Sequence, residues 1–216
     1  MTTRTLSTHA GVPEPRYAMA ADRQQIDRTA NALAAHGFTV EVLDSTQEAR
    51  TRVAALLPVG AAVYTAASET LRLSGIEDDI NGSDRFMAIK PRVWALDRQT
   101  HGDEIRRLMA TPGFVVGSVS AVTEDGALVA VSASGSQLPA YAGGASKVIW
   151  VVGAQKIVPD LAGALHRIET YAYPLEDVRA RAIYGRSSAI NKILIVNAEP
   201  SPGRTTVLLV RQAIGF

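Results

Sequence analysis

The run Val148-Ile149-Trp150-Val151-Val152, followed by Gly153-Ala154-Gln155-Lys156, holds an unbroken series of apolar side chains ahead of a glycine. A strand with one wet face would alternate apolar and polar residues. A continuous apolar run of this length suits the middle of a parallel sheet, where both faces are covered. Outward from it, helix and strand signals alternate. Upstream, Ile26, Ala30, Leu33 and Ala34 share a helical face that Gly37 ends, and Phe38 to Leu43 reads as a strand. Ser45 and Glu48 have capping-box spacing before a second apolar face of Ala49, Val53, Leu56 and Leu57, which stops at Pro58. Ala61 to Thr65 and Arg92 to Leu96 read as strands, with a short helix capped by Ser68 between them. Thr100 precedes a helix carrying Ile105, Leu108 and Met109, which Pro112-Gly113 ends.

The middle of the chain reads differently. Val115 to Thr123 and Ala127 to Ser132 flank Asp125-Gly126, a type I′ hairpin signal. Downstream of the apolar run, Pro159 fits the first turn of a helix with Leu161, Leu165 and Ile168 on its buried face. A further helix runs from about Leu175 to Tyr184, and Ile193 to Asn197 and Thr206 to Val210 close the chain as strands. The expected fold is α/β: one domain with a mostly parallel sheet, helices on both faces and an inserted β-hairpin. That domain spans residues 18–216, and residues 1–17 form a polar tail expected to be mobile.

Composition narrows the function. A formal charge of +1 offers no basic field for nucleic acid, and 6% aromatic residues give little for bases to stack on. With no cysteine, the chain by itself has no disulfide, thiolate metal site, cysteine nucleophile or ordinary iron–sulfur ligation. The histidines His9, His36, His101 and His166 lack metal-ligand spacing, so no metal site and no cofactor held by this chain are expected. The segment from Met1 to Tyr17 is polar and resembles no signal peptide. The apolar run is too short to span a bilayer, which needs about 20 residues. These readings predict a cytoplasmic protein that binds neither membrane nor nucleic acid.

In open α/β sheets, ligands collect at the carboxyl ends of the strands. That rule nominates Ser68, in the turn after the second strand, and Lys156, after the apolar run. Only four of the 22 basic residues are lysine, and an ammonium differs from guanidinium as a compact charge able to titrate. Placed between a strand end and a helix start, Lys156 would hold a phosphate or carboxylate together with free backbone N–H groups. The plainer reading is a lysine that ties down its own loop or is solvated. The small residues Ser134-Gly135-Ser136-Gln137 would let a ligand approach the backbone and would add hydroxyl donors. Glu124, at the hairpin tip, is either a solvated turn carboxylate or a nucleophile or general base.

Three stretches carry a family resemblance. Gly117-Ser118-Val119-Ser120-Ala121-Val122-Thr123-Glu124-Asp125-Gly126-Ala127-Leu128-Val129 resembles the glutamate-containing hairpin of LUD-domain (lactate utilisation protein C-like) proteins. Val148 to Val158 is similar to their apolar strand and lysine-valine turn, and Asn191 to Asn197 to their late strand. The resemblance implies a fold like that of ribose-phosphate isomerases, glucosamine-phosphate deaminases and CoA transferases. It implies an accessory or small-anion-binding subunit in L-lactate oxidation, with iron–sulfur redox proteins as partners that hold the clusters. The alternatives are a stand-alone enzyme acting on a sugar phosphate or acyl-CoA, with Glu124 as its nucleophile, and a non-catalytic protein scaffold. A homodimer is the ordinary form for a soluble oligomer of this kind.

Overall fold

Residues 11–216 are described by the computed structural model, and they alternate helix and strand. In chain order come α1 (Arg23–Ala35), β1 (Thr39–Leu43), α2 (Thr46–Leu56) and β2 (Ala62–Thr65). Next are α3 (Glu69–Leu73), α4 (Ile76–Asn81), β3 (Met87–Ala88), α5 (Ile89–Ala95) and α6 (Gly102–Ala110). The central strands β4 (Phe114–Gly117), β5 (Ala121–Thr123), β6 (Leu128–Ser132), β7 (Lys147–Gly153) and β8 (Ile157–Val158) follow. The chain closes with α7 (Leu161–Arg167), α8 (Tyr173–Tyr184), β9 (Lys192–Val196) and β10 (Thr205–Val210).

The strands β1, β10, β7, β4, β2 and β3 lie side by side in that order as one sheet, every pair parallel. The apolar run is β7, near its centre, where alternate residues feed opposite cores. Val148, Trp150 and Val152 join Ile26 and Leu33 of α1 and Ile89 and Val93 of α5 on one face. Ile149 and Val151 join Ala49 and Val53 of α2, Leu71 of α3, and Ile76 and Ile80 of α4 on the other. Each such aliphatic side chain, fully buried, contributes about 1.5–3 kcal/mol. The parallel sheet covered on both faces is therefore as the sequence predicts.

The local signals explain the helix starts. Asp22 accepts from the Gln25 N–H while the Gln25 side chain accepts from the Asp22 N–H, a reciprocal cap for α1. Ser45 Oγ accepts from Glu48 N–H at 3.2 Å, and the Glu48 carboxylate returns to Asp44 N–H and to the Ser45 hydroxyl. Ser68 caps α3 by accepting from Leu71 N–H.

Several expectations are corrected. Arg92 to Leu96 is not a strand: residues 89–95 form α5, with Ile89 and Val93 buried four positions apart and Pro91 in the first turn, where no N–H is required. Val115 to Thr123 is not one strand either. It breaks after Gly117, leaving β4 in the six-stranded sheet and β5 in a second sheet ordered β8-β5-β6-β9. The hairpin is therefore no insertion in the main sheet, and β9 and β10 belong to different sheets. Its turn is not type I′, since that needs two left-handed residues. Among the described residues no non-glycine has positive φ, and only Gly126, at φ 90°, supplies the left-handed position. Thr123 N–H donates to Ala127 O around the loop Glu124-Asp125-Gly126, a type I turn closed by a glycine bulge.

Pro159 lies outside α7, whose N-cap is Asp160, and Leu161 is exposed, while Ala164, Arg167 and Ile168 face inward. α7 and α8 are joined by a π-turn at Ile168–Ala172 rather than separated by a loop. Pro174 has no N–H for the Thr170 carbonyl, and Glu14 N–H donates to it at 3.0 Å instead. Of the expected tail, residues 1–10 lie outside the described residues. The part around Glu14 and Tyr17 is anchored, with Tyr17 packed against the small core under the second sheet. Among the described residues no helix is long and apolar enough to cross a membrane.

Candidate functional site

The strands β2, β4 and β7 are neighbours in the main sheet, so their carboxyl ends meet at one edge. Each end leads into a polar segment: Ser68 and Thr70 after β2, Ser118 after β4, and Lys156 after β7. The chain after β7 makes a short 3-10 turn, Ala154–Lys156, which swings the lysine back beneath its neighbours. Its Nζ lies within hydrogen-bond distance of Thr70 Oγ1 at 2.9 Å, Ser118 Oγ at 3.1 Å and the Val119 carbonyl at 3.0 Å. Ser118 Oγ in turn donates to the Val151 carbonyl at 2.6 Å, and Thr70 Oγ1 to that of Ile214 at 3.3 Å.

Lys156 is 1% exposed, and every atom it touches by hydrogen bond is an uncharged oxygen. Burial without a carboxylate holds the amine well below its usual 10.5, and the nearby Arg167 guanidinium pushes the same way. Arg167 is itself fully buried, donating to the Gln155 and Ser120 carbonyls and lying over the rings of Tyr17 and Tyr171. Desolvation brings it down to about 10. Its Nη2 has no hydrogen-bond partner among the described residues.

Above this cluster opens a cleft of ≈ 1010 Å³ between the two sheets, roofed by the π-turn and α8. Ser68, Ser134, Ser136, Gln137 and Lys156 all line it. Gly135 does not. Its N–H donates to Ser132 Oγ at 2.8 Å, and the left-handed backbone there turns the loop. Ser132 and Ser136 hydroxyls both reach Gln137 Oε1, at 3.0 and 3.2 Å, so the small-residue stretch is a fixed wall. The expected partnership of Lys156 with a helix start is not formed: α7 begins only after β8, and Asp160 Oδ1 already occupies the Gly163 N–H.

The charges in the cleft are unevenly compensated. Both lining acidic side chains are tied to arginine, Glu69 to Arg72 at 2.7 Å and Glu176 to Arg179 at 2.7 Å. Lys90 is paired with Glu77. Arg98 and Arg186, exposed at the mouth, have no ion pair among the described residues. Burial raises the Tyr64 phenol, which lines the same cleft, so it stays a neutral donor. Among the described residues no group of three or more histidines and carboxylates is placed to hold a metal.

A family model for the LUD domain matches residues 26–210. The chain belongs to the LUD-domain family. Among solved structures, a DUF162 family protein from Deinococcus radiodurans shares the fold with a TM-score of 0.54 at 14% identity, covering 88% of this chain and 99% of that one. No curated protein matches the sequence.

In this LUD domain Glu124 lies away from the cleft. Its carboxylate accepts from Gln25 Nε2 at 3.1 Å and from Arg28 Nη2 at 2.8 Å, which clamps the hairpin tip to α1. Sequence reading missed Ser118, Arg98, Arg179 and Arg186. The strand-end rule reaches Ser118 once β4 is known to stop at Gly117, but a single strand read through to Thr123 hid that end. The arginines sit on α8, on a loop before α6, and after α8, with no local pattern to separate them from solvated surface.

Proposed function

We propose that this LUD domain binds a small organic anion in the cleft and serves as an accessory subunit of L-lactate oxidation, beside iron–sulfur partners that hold the clusters. The observation that carries the reading is the charge balance. Both acidic side chains in the cleft wall are already paired, whereas Arg98 and Arg186 have no acidic partner among the described residues. An incoming carboxylate meets guanidinium groups suited to bidentate contact and a wall of hydroxyl donors. The family assignment and the absence of cysteine both fit a division of labour in which another chain performs electron transfer.

Calorimetry with L-lactate and pyruvate tests the binding step. Lys156→Ala, Arg98→Ala and Arg186→Ala are each expected to weaken an anion several-fold. Affinity unchanged in all three variants would refute the assignment of the cleft. The role is tested separately by deleting the gene: normal growth on L-lactate, with no iron–sulfur protein co-purifying, would remove the lactate role.

The cleft volume favours a second reading. At ≈ 1010 Å³ it is at the upper end for small-molecule sites, larger than a three-carbon acid needs. A sugar phosphate or acyl-CoA would fill it better. Tighter binding of either than of lactate in the same titrations would favour a stand-alone enzyme. Such an enzyme would draw on the cleft residues, since Glu124 is engaged with α1.

A further inference from the structure

We infer that Lys156 is a carbonyl-capturing amine, forming a reversible imine with a 2-oxo acid in the cleft. The inference rests on the anion-binding reading above and specifies the substrate class and the reacting atom. Lysines that serve only structure commonly meet a carboxylate, as Lys90 meets Glu77 here, or a surface carbonyl, as Lys147 meets Gly203 O and Lys192 meets Ser134 O. Lys156 alone among the four is fully buried, and it contacts two hydroxyls and one carbonyl with no acid in reach. Burial without a counter-charge favours the uncharged, nucleophilic amine.

The surroundings fit the chemistry. Ser118 and Val119, on which the amine leans, form part of the cleft wall, and Lys156 itself lines the cleft. Unpaired Arg98 and Arg186 at the mouth supply a counter-charge for the acid's carboxylate while its carbonyl points inward. The nitrogen lone pair adds to the carbonyl carbon, and the proton lost from nitrogen passes to the former carbonyl oxygen. Loss of one water from this carbinolamine leaves the imine. Ser118 and Thr70 hydroxyls, both within hydrogen-bond distance of the nitrogen, are placed to relay that proton. The sum is amine plus carbonyl giving imine plus water, and no oxidant or reductant enters.

The test is reductive trapping of the full-length protein. Pyruvate or glyoxylate is added with sodium cyanoborohydride at neutral pH, and the modified lysine is located by peptide mass spectrometry. The adduct is expected on the peptide carrying Lys156, well ahead of Lys90, Lys147 and Lys192, and to be absent from Lys156→Arg. No adduct at Lys156, or equal labelling of all four lysines, overturns the inference. The comparison among lysines is made within the wild-type protein, so it holds even if the variant fails to fold. Calorimetry with L-lactate, which has no carbonyl to capture, separates the two claims. Lactate binding without a Lys156 adduct removes the imine and leaves the anion site, and an adduct without lactate binding does the reverse.

Discussion

Raising the pH should stabilise this protein through Lys156, and replacing that lysine by methionine should abolish the effect. In the unfolded chain the lysine titrates near 10.5, whereas in the fold, buried and beside Arg167, it loses its proton well below that value. Between the two values the unfolded chain carries a proton that the native state lacks, so stability rises with pH. The gain starts at the depressed native value and levels off above 10.5. Its slope is at most about 1.4 kcal/mol per pH unit, the limit for one proton. Arg167 acts with the same sign but only from about 10 upward, above the useful range of the assay. Glu14, Asp79, Asp177 and Glu199 are all lowered from 4.5 or 3.8, so their contributions are complete well before neutral pH. Urea unfolding of wild type and Lys156→Met at pH 7, 8 and 9 isolates the lysine, because methionine binds no proton. Wild type should gain on the variant as pH rises. Parallel slopes would refute the claim and would mean that its three oxygen neighbours hold the ammonium charged through this range.

Three further outcomes follow from named contacts. Gly117→Ala would drive a Cβ into the hydroxyl of Tyr141, whose ring packs edge-on against Trp150, and should cost about 1–3 kcal/mol in thermal or urea unfolding; adding Tyr141→Phe should recover part of it. Glu124→Gln disrupts a half-exposed pair with Arg28, so the expected loss is about 1 kcal/mol or less by urea titration, with ligand affinity in the cleft unchanged by calorimetry. Glu199 is buried and accepts from Arg204, Thr205 Oγ1 and Ser201 N–H; Glu199→Ala strands the Arg204 guanidinium and should cost about 3–5 kcal/mol by the same titration.

Local rules sufficed where one segment's chemistry settles its own state. The unbroken apolar run of β7 forces a doubly covered strand wherever it lies, and Ser68 and Ser45 cap whatever helix follows them, because their partners are three residues away. The alternation of helix and strand, the parallel sheet, and a cleft edge lined by Ser68, Ser134, Ser136, Gln137 and Lys156 were therefore legible in the sequence. Val93-Trp94-Ala95-Leu96 misled because a short apolar run fits a strand or a helix equally well; the burial of Ile89 and Val93 against the main sheet decided for α5. The break at Gly117 was likewise invisible locally. It exists because Tyr141, from far along the chain, occupies the space a side chain there would fill. Only the tertiary structure set the state of Lys156. Its neighbours Thr70 and Ser118 follow β2 and β4, strands that are adjacent in the sheet but distant in sequence, and burial among them, not residue type, separates this amine from the chain's other lysines.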